Sequence, residues 1–300
     1  MTSRILVHDV GMRDGLQVER TIVPTERKIA WIERLLASRV DAVQVGSFVN
    51  PRIVPQMADT EAVCRHFAGR SSPRTRLTAL VLNEKGLERG LAAGIDAFCM
   101  GVSASETHSR KNTGMGTEEA ATRIIAMART AVEARASVQL SVQSAFGCGY
   151  EGAIPATRVI ALIQRFVDAG FDTLSLADTA GHAMPPQVRA LFDAVRGAAP
   201  DATWACHFHD TYGLAMANAC AALEAGVQSF EAAFGGLGGC PFTAVAGTNL
   251  CTEDFVHLLQ HGGQRADIDV TALNDVACTA EAFFGRPLPG KLHAIPAVEA

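Results

Sequence analysis

Eight short segments with strand character, at 5–10, 42–47, 77–82, 97–102, 138–144, 173–177, 203–209 and 229–233, alternate with longer stretches of helical periodicity. The helical stretches fall at 25–38, 118–135, 156–169, 186–198 and 214–225, and in the first of them Ile29, Ile32, Leu35 and Leu36 recur at the spacing of one helix face. Glycines close several helices just ahead of the next strand, in Ala93-Gly94-Ile95, Ala169-Gly170-Phe171 and Ala225-Gly226-Val227. A residue free to turn left-handed is what a helix end needs at that point. Strands that alternate with helices pair in parallel through right-handed crossovers, so eight such units without a break in composition predict an α/β fold, a (β/α)8 TIM barrel rather than an open doubly wound sheet. A chain of 300 residues, 48% of them apolar, suffices for a single domain of this kind over 1–300. A further helix at 270–284, followed by Pro287-Leu288-Pro289-Gly290, is expected to pack beside the barrel as a C-terminal appendage over about 270–300.

The formal charge of −5 and the scattered basic residues exclude a nucleic-acid-binding stripe, though a few local arginines and lysines can hold a small anion. The eight cysteines fall singly, with no C-x-x-C pair, which fits reduced thiols. Met-Thr-Ser-Arg-Ile-Leu-Val leads straight into the first strand, leaving no room for a secretory or transit segment, and no apolar run reaches membrane-spanning length. A cytoplasmic protein with no membrane or nucleic-acid partner is expected, as a homo-oligomer.

Barrels of this type keep their chemistry at the carboxyl ends of the strands. Those ends carry Asp9, Arg13 and Asp14, then Gln44 and Ser47, Asn83, Ser103 and Ser105, Gln143, Asp178, and His207 and His209. After the eighth strand come Gly235-Gly236-Leu237-Gly238-Gly239-Cys240-Pro241 and then Asn249, Glu253 and Asp254. In Cys206-His207-Phe208-His209-Asp210 the two histidines lie on one side of an extended strand, where two imidazoles can grip one divalent ion. A His-x-His pair alone is equally compatible with ordinary core or surface histidines. Arginine, aspartate and both histidines in one mouth shift the balance toward a metal. An Asp–His–His set with an amide oxygen suits Mg²⁺, Mn²⁺ or Zn²⁺, and the adjacent arginine suits an enolate or carboxylate oxygen.

Asp9-Val10-Gly11-Met12-Arg13-Asp14-Gly15-Leu16-Gln17 resembles the opening motif of the metal-dependent acyl-CoA lyase and synthase barrels. Ser47-Phe48-Val49, Val54-Pro55-Gln56-Met57, Ser175-Leu176-Ala177-Asp178-Thr179-Ala180-Gly181, His207-Phe208-His209-Asp210-Thr211-Tyr212-Gly213, Gly236-Leu237-Gly238-Gly239-Cys240-Pro241-Phe242 and Gly247-Thr248-Asn249-Leu250-Cys251-Thr252-Glu253-Asp254 follow in order over nearly the whole chain. Together they resemble the 3-hydroxy-3-methylglutaryl-CoA (HMG-CoA) lyase family, with the Gly-Gly-Cys-Pro loop as the more specific part. The resemblance implies retro-Claisen cleavage of a tertiary 3-hydroxyacyl-CoA to acetyl-CoA and a 3-oxo acid such as acetoacetate, a reaction of leucine degradation. It implies Asp14, His207, His209 and Asn249 as ligands of a divalent metal, Mg²⁺ or Mn²⁺. Arg13, Asp14, His207 and Cys240 become the catalytic residues, with Arg13 on the developing enolate and Cys240 as proton donor. Asp9, Gln44, Asp178 and Glu253 become groups that orient ligands, substrate or Arg13. The stretch from Ser103 to Asn112 resembles the family's loop beside the CoA entrance, which would bring Arg110 and Lys111 to the phosphates of an acyl-CoA partner.

One departure stands out. Where the family usually has a glutamate, thought to orient the arginine, this chain has Gln44, whose amide accepts a hydrogen bond without supplying a counter-charge. Catalytic vigour and the C3 substituent are the properties this change touches. A condensing synthase or aldolase of the same superfamily is the alternative enzyme, disfavoured by the Cys240 loop and by a chain too short for the synthases' C-terminal extension. An inactive acyl-CoA-binding protein is the non-enzyme alternative, opposed by retention of every ligand-type residue.

Overall fold

The computed structural model describes residues 4–68, 75–239 and 247–295. Eight strands, β1 (Leu6–Asp9), β2 (Ala42–Ser47), β3 (Arg76–Leu80), β4 (Ala97–Ser103), β5 (Ser137–Gln143), β6 (Thr173–Asp178), β7 (Thr203–Phe208) and β8 (Ser229–Ala232), follow one another around a closed barrel. All pairings are parallel, and β8 closes onto β1 with His8 opposite Glu231. The chain is thus a TIM barrel, and every strand lies where the sequence pattern puts it, with ends moved by at most two residues.

The outer ring is built from α1 (Thr25–Ala37), α2 (Thr60–Phe67), α3 (Glu84–Ala92), α4 (Glu106–Thr113), α5 (Thr117–Glu133), α6 (Ala156–Asp168), α7 (Pro185–Ala198), α8 (Ala215–Glu224), α9 (Thr252–His261) and α10 (Val270–Phe284). In α6 the buried residues are Val159, Leu162, Ile163 and Phe166, one stripe pressed on the barrel. Each such side chain contributes about 1.5–3 kcal/mol on burial, so the stripe rather than intrinsic propensity holds the helix. In α10, Phe283 lies edge-on to Trp31 of α1, and Trp31 in turn meets Phe234 just beyond β8, both at 5.8 Å between ring centres. The C-terminal helix is therefore anchored to the turn that follows the last strand. Among the described residues no helix is long and apolar enough to cross a membrane.

The stretch expected as a loop beside the CoA entrance is instead the helix α4. Ser105 caps it, accepting from the backbone N–H of His108 at 3.1 Å, and Gly114 ends it in the left-handed region at φ 76°. Its buried residues are His108 and Ser109, both polar, so no apolar stripe advertised it. Asn83 likewise caps α3 through Gly86 N at 2.9 Å.

The inward face of β5 is polar. In β5, Val138, Leu140 and Val142 are buried, whereas Gln139, Ser141 and Gln143 line an internal cavity of about 820 Å³ that opens at the carboxyl ends of the strands.

Candidate metal centre and active-site mouth

Directly after β1 the chain makes a wide turn over Gly11–Gly15, closed by an i→i+5 bond from Gly15 N to Val10 O. Such π-turns re-aim side chains and recur at functional sites. Here Met12 is held in the core while Arg13 and Asp14 line the cavity. Gly11 is required by packing, because a Cβ there would lie 2.4 Å from the ring of Phe234.

His207 and His209 come from the end of β7, and one oxygen each can be placed beside them by Asp14 and Asn249. His209 pairs with Asn249 through an isolated antiparallel bridge, and Leu250 N donates to Phe208 O at 3.0 Å, so the segment after the glycine loop is stitched to β7. Ligand-type atoms of Asp14, His207 and His209 all lie within 4.8 Å of one another, and all three residues are buried. Asp14 Oδ2 is 3.4 Å from His209 Nε2 and 3.8 Å from His207 Nε2, and it accepts from Asn249 Nδ2 at 2.9 Å. The close approach of Asn249 depends on Gly238, where a Cβ would fall 1.9 Å from Asn249 Nδ2.

The hydrogen bonds behind these groups decide what they offer. His209 donates from Nδ1 to the carbonyl of Asp178 at 3.0 Å, and His207 donates from Nδ1 to Glu231 Oε2 at 3.1 Å. Both rings therefore turn an Nε2 lone pair inward. His209 Nε2 and Asn249 Oδ1 are buried without a hydrogen-bond partner. Two imidazole lone pairs, a carboxylate oxygen and an orphaned amide oxygen fit a divalent cation, because a buried acceptor left unpaired is costly. Burial opposes the charge on Asp14, but Arg13, His209 and His207 outweigh it and hold the carboxyl well below its ordinary range.

Arg13 donates from Nε to Gln44 Oε1 and from Nη1 to Asp14 Oδ1. Gln44 thus does touch the arginine, with Oε1, while its Nε2 has no hydrogen-bond partner. Asp9 and Glu253 meet backbone amides rather than the side chains of Arg13 or of the ligand-type residues. Asp9 accepts from Gly11 N, Phe234 N and Thr252 Oγ1, at 2.9, 2.9 and 2.6 Å, and burial pushes its carboxyl up to about 7. Glu253 accepts from Gly235 N at 2.9 and 3.0 Å. Both carboxylates pin the start of the glycine loop, and Asp9 also holds the Gly11–Gly15 turn that carries Arg13 and Asp14. Asp178 spends its carboxylate on His182 N and Ala183 N and reaches His209 only through its carbonyl. Lys111 lines the cavity, its ammonium 4.6 Å from the Tyr150 ring centre, whereas Arg110 pairs with Glu106 in solvent. Cys240 lies outside the described residues.

Two contributors were missed. Glu231 of β8 carries the His207 contact and is itself held by Gln139 Nε2 at 2.6 Å. Burial works against its charge, yet His207, with His8 and Arg13 nearby, brings its carboxyl down to about 2. Gln17 donates to Asp14 Oδ1 at 2.9 Å and to Gly239 O at 3.2 Å, linking the first turn to the glycine loop. The available signal was the polar parity of the strands, with His8, Gln139, His207 and Glu231 all on inward positions. Glu231→Gln is expected to fold normally and to weaken metal binding roughly 10–100-fold, read by calorimetric titration of metal-free protein with Mn²⁺.

Residues 4–279 match the family model described as HMGL-like. The chain is 35% identical over 288 residues to a hydroxymethylglutaryl-CoA lyase of Bacillus subtilis, covering 96% of both chains. It is 39% identical over 296 residues to the (R)-citramalyl-CoA lyase of Chloroflexus aurantiacus, covering 95% of this chain and 92% of that one. Among solved structures, an HMG-CoA lyase of Acinetobacter baumannii in complex with coenzyme A and 3-methylmalate superposes with a TM-score of 0.93 at 32% identity, covering 100% of this chain and 99% of the other.

Proposed function

The chain belongs to the HMGL-like family and is a carbon–carbon lyase, and from that premise we propose that it cleaves HMG-CoA, or a close 3-substituted relative, to acetyl-CoA and an oxo acid. The observation that carries this reading is the meeting of Asp14, His207, His209 and Asn249 with Arg13 at one end of one cavity. A divalent cation held by those four residues, Mg²⁺ or Mn²⁺, would supply the Lewis acidity that makes a tertiary hydroxyl easier to deprotonate. Arg13, aimed by Gln44 and Asp14, stabilises the negative charge that gathers on the thioester oxygen as the C2–C3 bond breaks. The bonding pair passes to C2, the hydroxyl proton goes to solvent in the open mouth as the C3 ketone forms, and the Cys240 thiol gives its proton to C2, the thiolate being reprotonated from solvent. Lys111, at the cavity wall, would meet the anionic CoA moiety.

A citramalyl-type substrate is the second reading, favoured by the 39% relative and by Gln44. Its carboxylate sits directly on the carbinol carbon, so cleavage would yield a 2-oxo acid. Purified protein with Mg²⁺ should be offered HMG-CoA and citramalyl-CoA in parallel, with acetyl-CoA and the oxo acid detected by mass spectrometry. Failure to release acetyl-CoA from either substrate would reject the lyase proposal for both. Gln44→Glu separates them. A carboxylate on Arg13 Nε adds a charge-assisted bond of about 1.5–3 kcal/mol, and since enolate charge exists mainly in the transition state, kcat toward HMG-CoA should rise with little change in KM. A fall in activity on a substrate that wild type handles well would instead make the glutamine a specificity residue.

A further inference from the structure

Beneath the first cluster the barrel carries a second one. His8 on β1 lies in register with Glu231 on β8, and Glu231 with His207 on β7, so the three side chains share one inward row. Cys99 projects into the same space from β4, opposite Gln139 of β5. Ligand-type atoms of His8, Cys99 and Glu231 all lie within 4.8 Å of one another, and all three residues are buried. Cys99 and Glu231 line the cavity, so the cluster is reached from the mouth. We propose that His8, Cys99 and Glu231 form a second metal site, one that takes a thiophilic divalent cation of the Zn²⁺ or Cd²⁺ class and that antagonises the first site when filled.

The chemistry of the donor sets separates the two sites. Carboxylate, amide oxygen and imidazole accept hard Mg²⁺ or Mn²⁺, whereas a thiolate with imidazole and carboxylate selects softer ions, with cavity water in the fourth position. His8 is available as a neutral ligand, because burial, with Arg13 and His207 close by, disfavours its charged form even though Glu231 and Asp41 favour it. Its Nε2 already meets Thr78 Oγ1 at 2.9 Å, a contact the hydroxyl can give up. Burial also keeps Cys99 a thiol in the absence of metal, pushed up to about 12, so binding must expel its proton to solvent. One M²⁺ in and one H⁺ out adds one unit of positive charge beside His207. The carboxylate that orients His207 is thereby shared, and the negative charge facing Arg13 is cancelled. Filling the lower site should therefore weaken Mn²⁺ at the upper one roughly 5–150-fold, and by linkage the reverse holds equally.

The test uses metal-free full-length chain carrying Cys240→Ser, titrated with Cd²⁺ in the presence of saturating Mg²⁺. The expected result is one Cd²⁺ per chain with a thiolate-to-cadmium absorption band, and loss of that band in Cys99→Ser. His8→Gln should keep the band but weaken Cd²⁺ roughly 10–100-fold, which decides the matter if circular dichroism shows that Cys99→Ser misfolds. In a parallel titration, Cd²⁺ should lower Mn²⁺ affinity without replacing it one for one. A band that survives Cys99→Ser, wild-type Cd²⁺ affinity in His8→Gln, or Mn²⁺ affinity indifferent to Cd²⁺ would overturn the proposal.

Discussion

Dialysis against EDTA is expected to reduce turnover to background, and added Mg²⁺ or Mn²⁺ to restore it. The argument rests on the buried donor set. Asn249 Oδ1 is buried without a hydrogen-bond partner, and His209 Nε2 faces only the ionised Asp14 carboxylate at 3.4 Å, a buried acceptor set that a cation completes. Lewis-acid stabilisation of the reacting oxygens is worth several kcal/mol, so its loss should slow cleavage by roughly a thousandfold or more. His209→Ala distinguishes a ligand from a structural histidine. As a ligand, its removal lowers Mn²⁺ affinity with the melting temperature of the metal-free protein nearly unchanged. As a structural group, it would lower the melting temperature and leave Mn²⁺ affinity intact. Full turnover in protein shown to be free of metal would remove the whole catalytic reading of the Asp14–His207–His209 cluster.

What the chain revealed before its structure follows from which signals are periodic. Apolar stripes of period 3.6 marked α1, α6 and α7, because those helices bury Val, Leu, Ile, Phe and Trp against the barrel. The helix α4 has no such stripe, since its buried positions are His108 and Ser109 and its start is set by the Ser105 cap. The candidate cluster was legible because His207-Phe208-His209 repeats at strand period and because the resemblance to a known family supplied Arg13, Asp14 and Asn249. Glu231 was not, although it sits at an inward position of β8, because an isolated acid in a strand looks like surface until register shows it facing His207. For Asp9 and Glu253 the sequence left open which groups their carboxylates meet. Asp9 at the end of β1 and Glu253 in the first turn of α9 could face a ligand or bind backbone amides, and the distances to Phe234 N and Gly235 N show the amide contacts.

Cys240→Ser should fold as wild type and lose cleavage rate by roughly 10²–10⁴-fold, the span of a general acid's contribution. A thiol with an ordinary pKa near 8.5 can give a proton to a thioester carbanion. The serine hydroxyl is a far weaker acid of nearly the same size. Placement supports the assignment through the residue next to Cys240 in sequence. The carbonyl of Gly239 accepts from Gln17 Nε2 at 3.2 Å, and the same amide nitrogen is 2.9 Å from Asp14 Oδ1. Gly239 is thus tied to Asp14 through Gln17, and Gly238 and Gly239 lie at φ 141° and 144°, a region that side-chain-bearing residues rarely adopt. Since the proton is needed only after the carbon–carbon bond has begun to break, the loss should fall on kcat with KM nearly unchanged. Alkylation of wild type should inactivate it, and bound substrate should slow that inactivation. Equal turnover by wild type and Cys240→Ser, at equal melting temperature, would assign the thiol to packing and leave the proton donor to be sought among the groups that line the cavity.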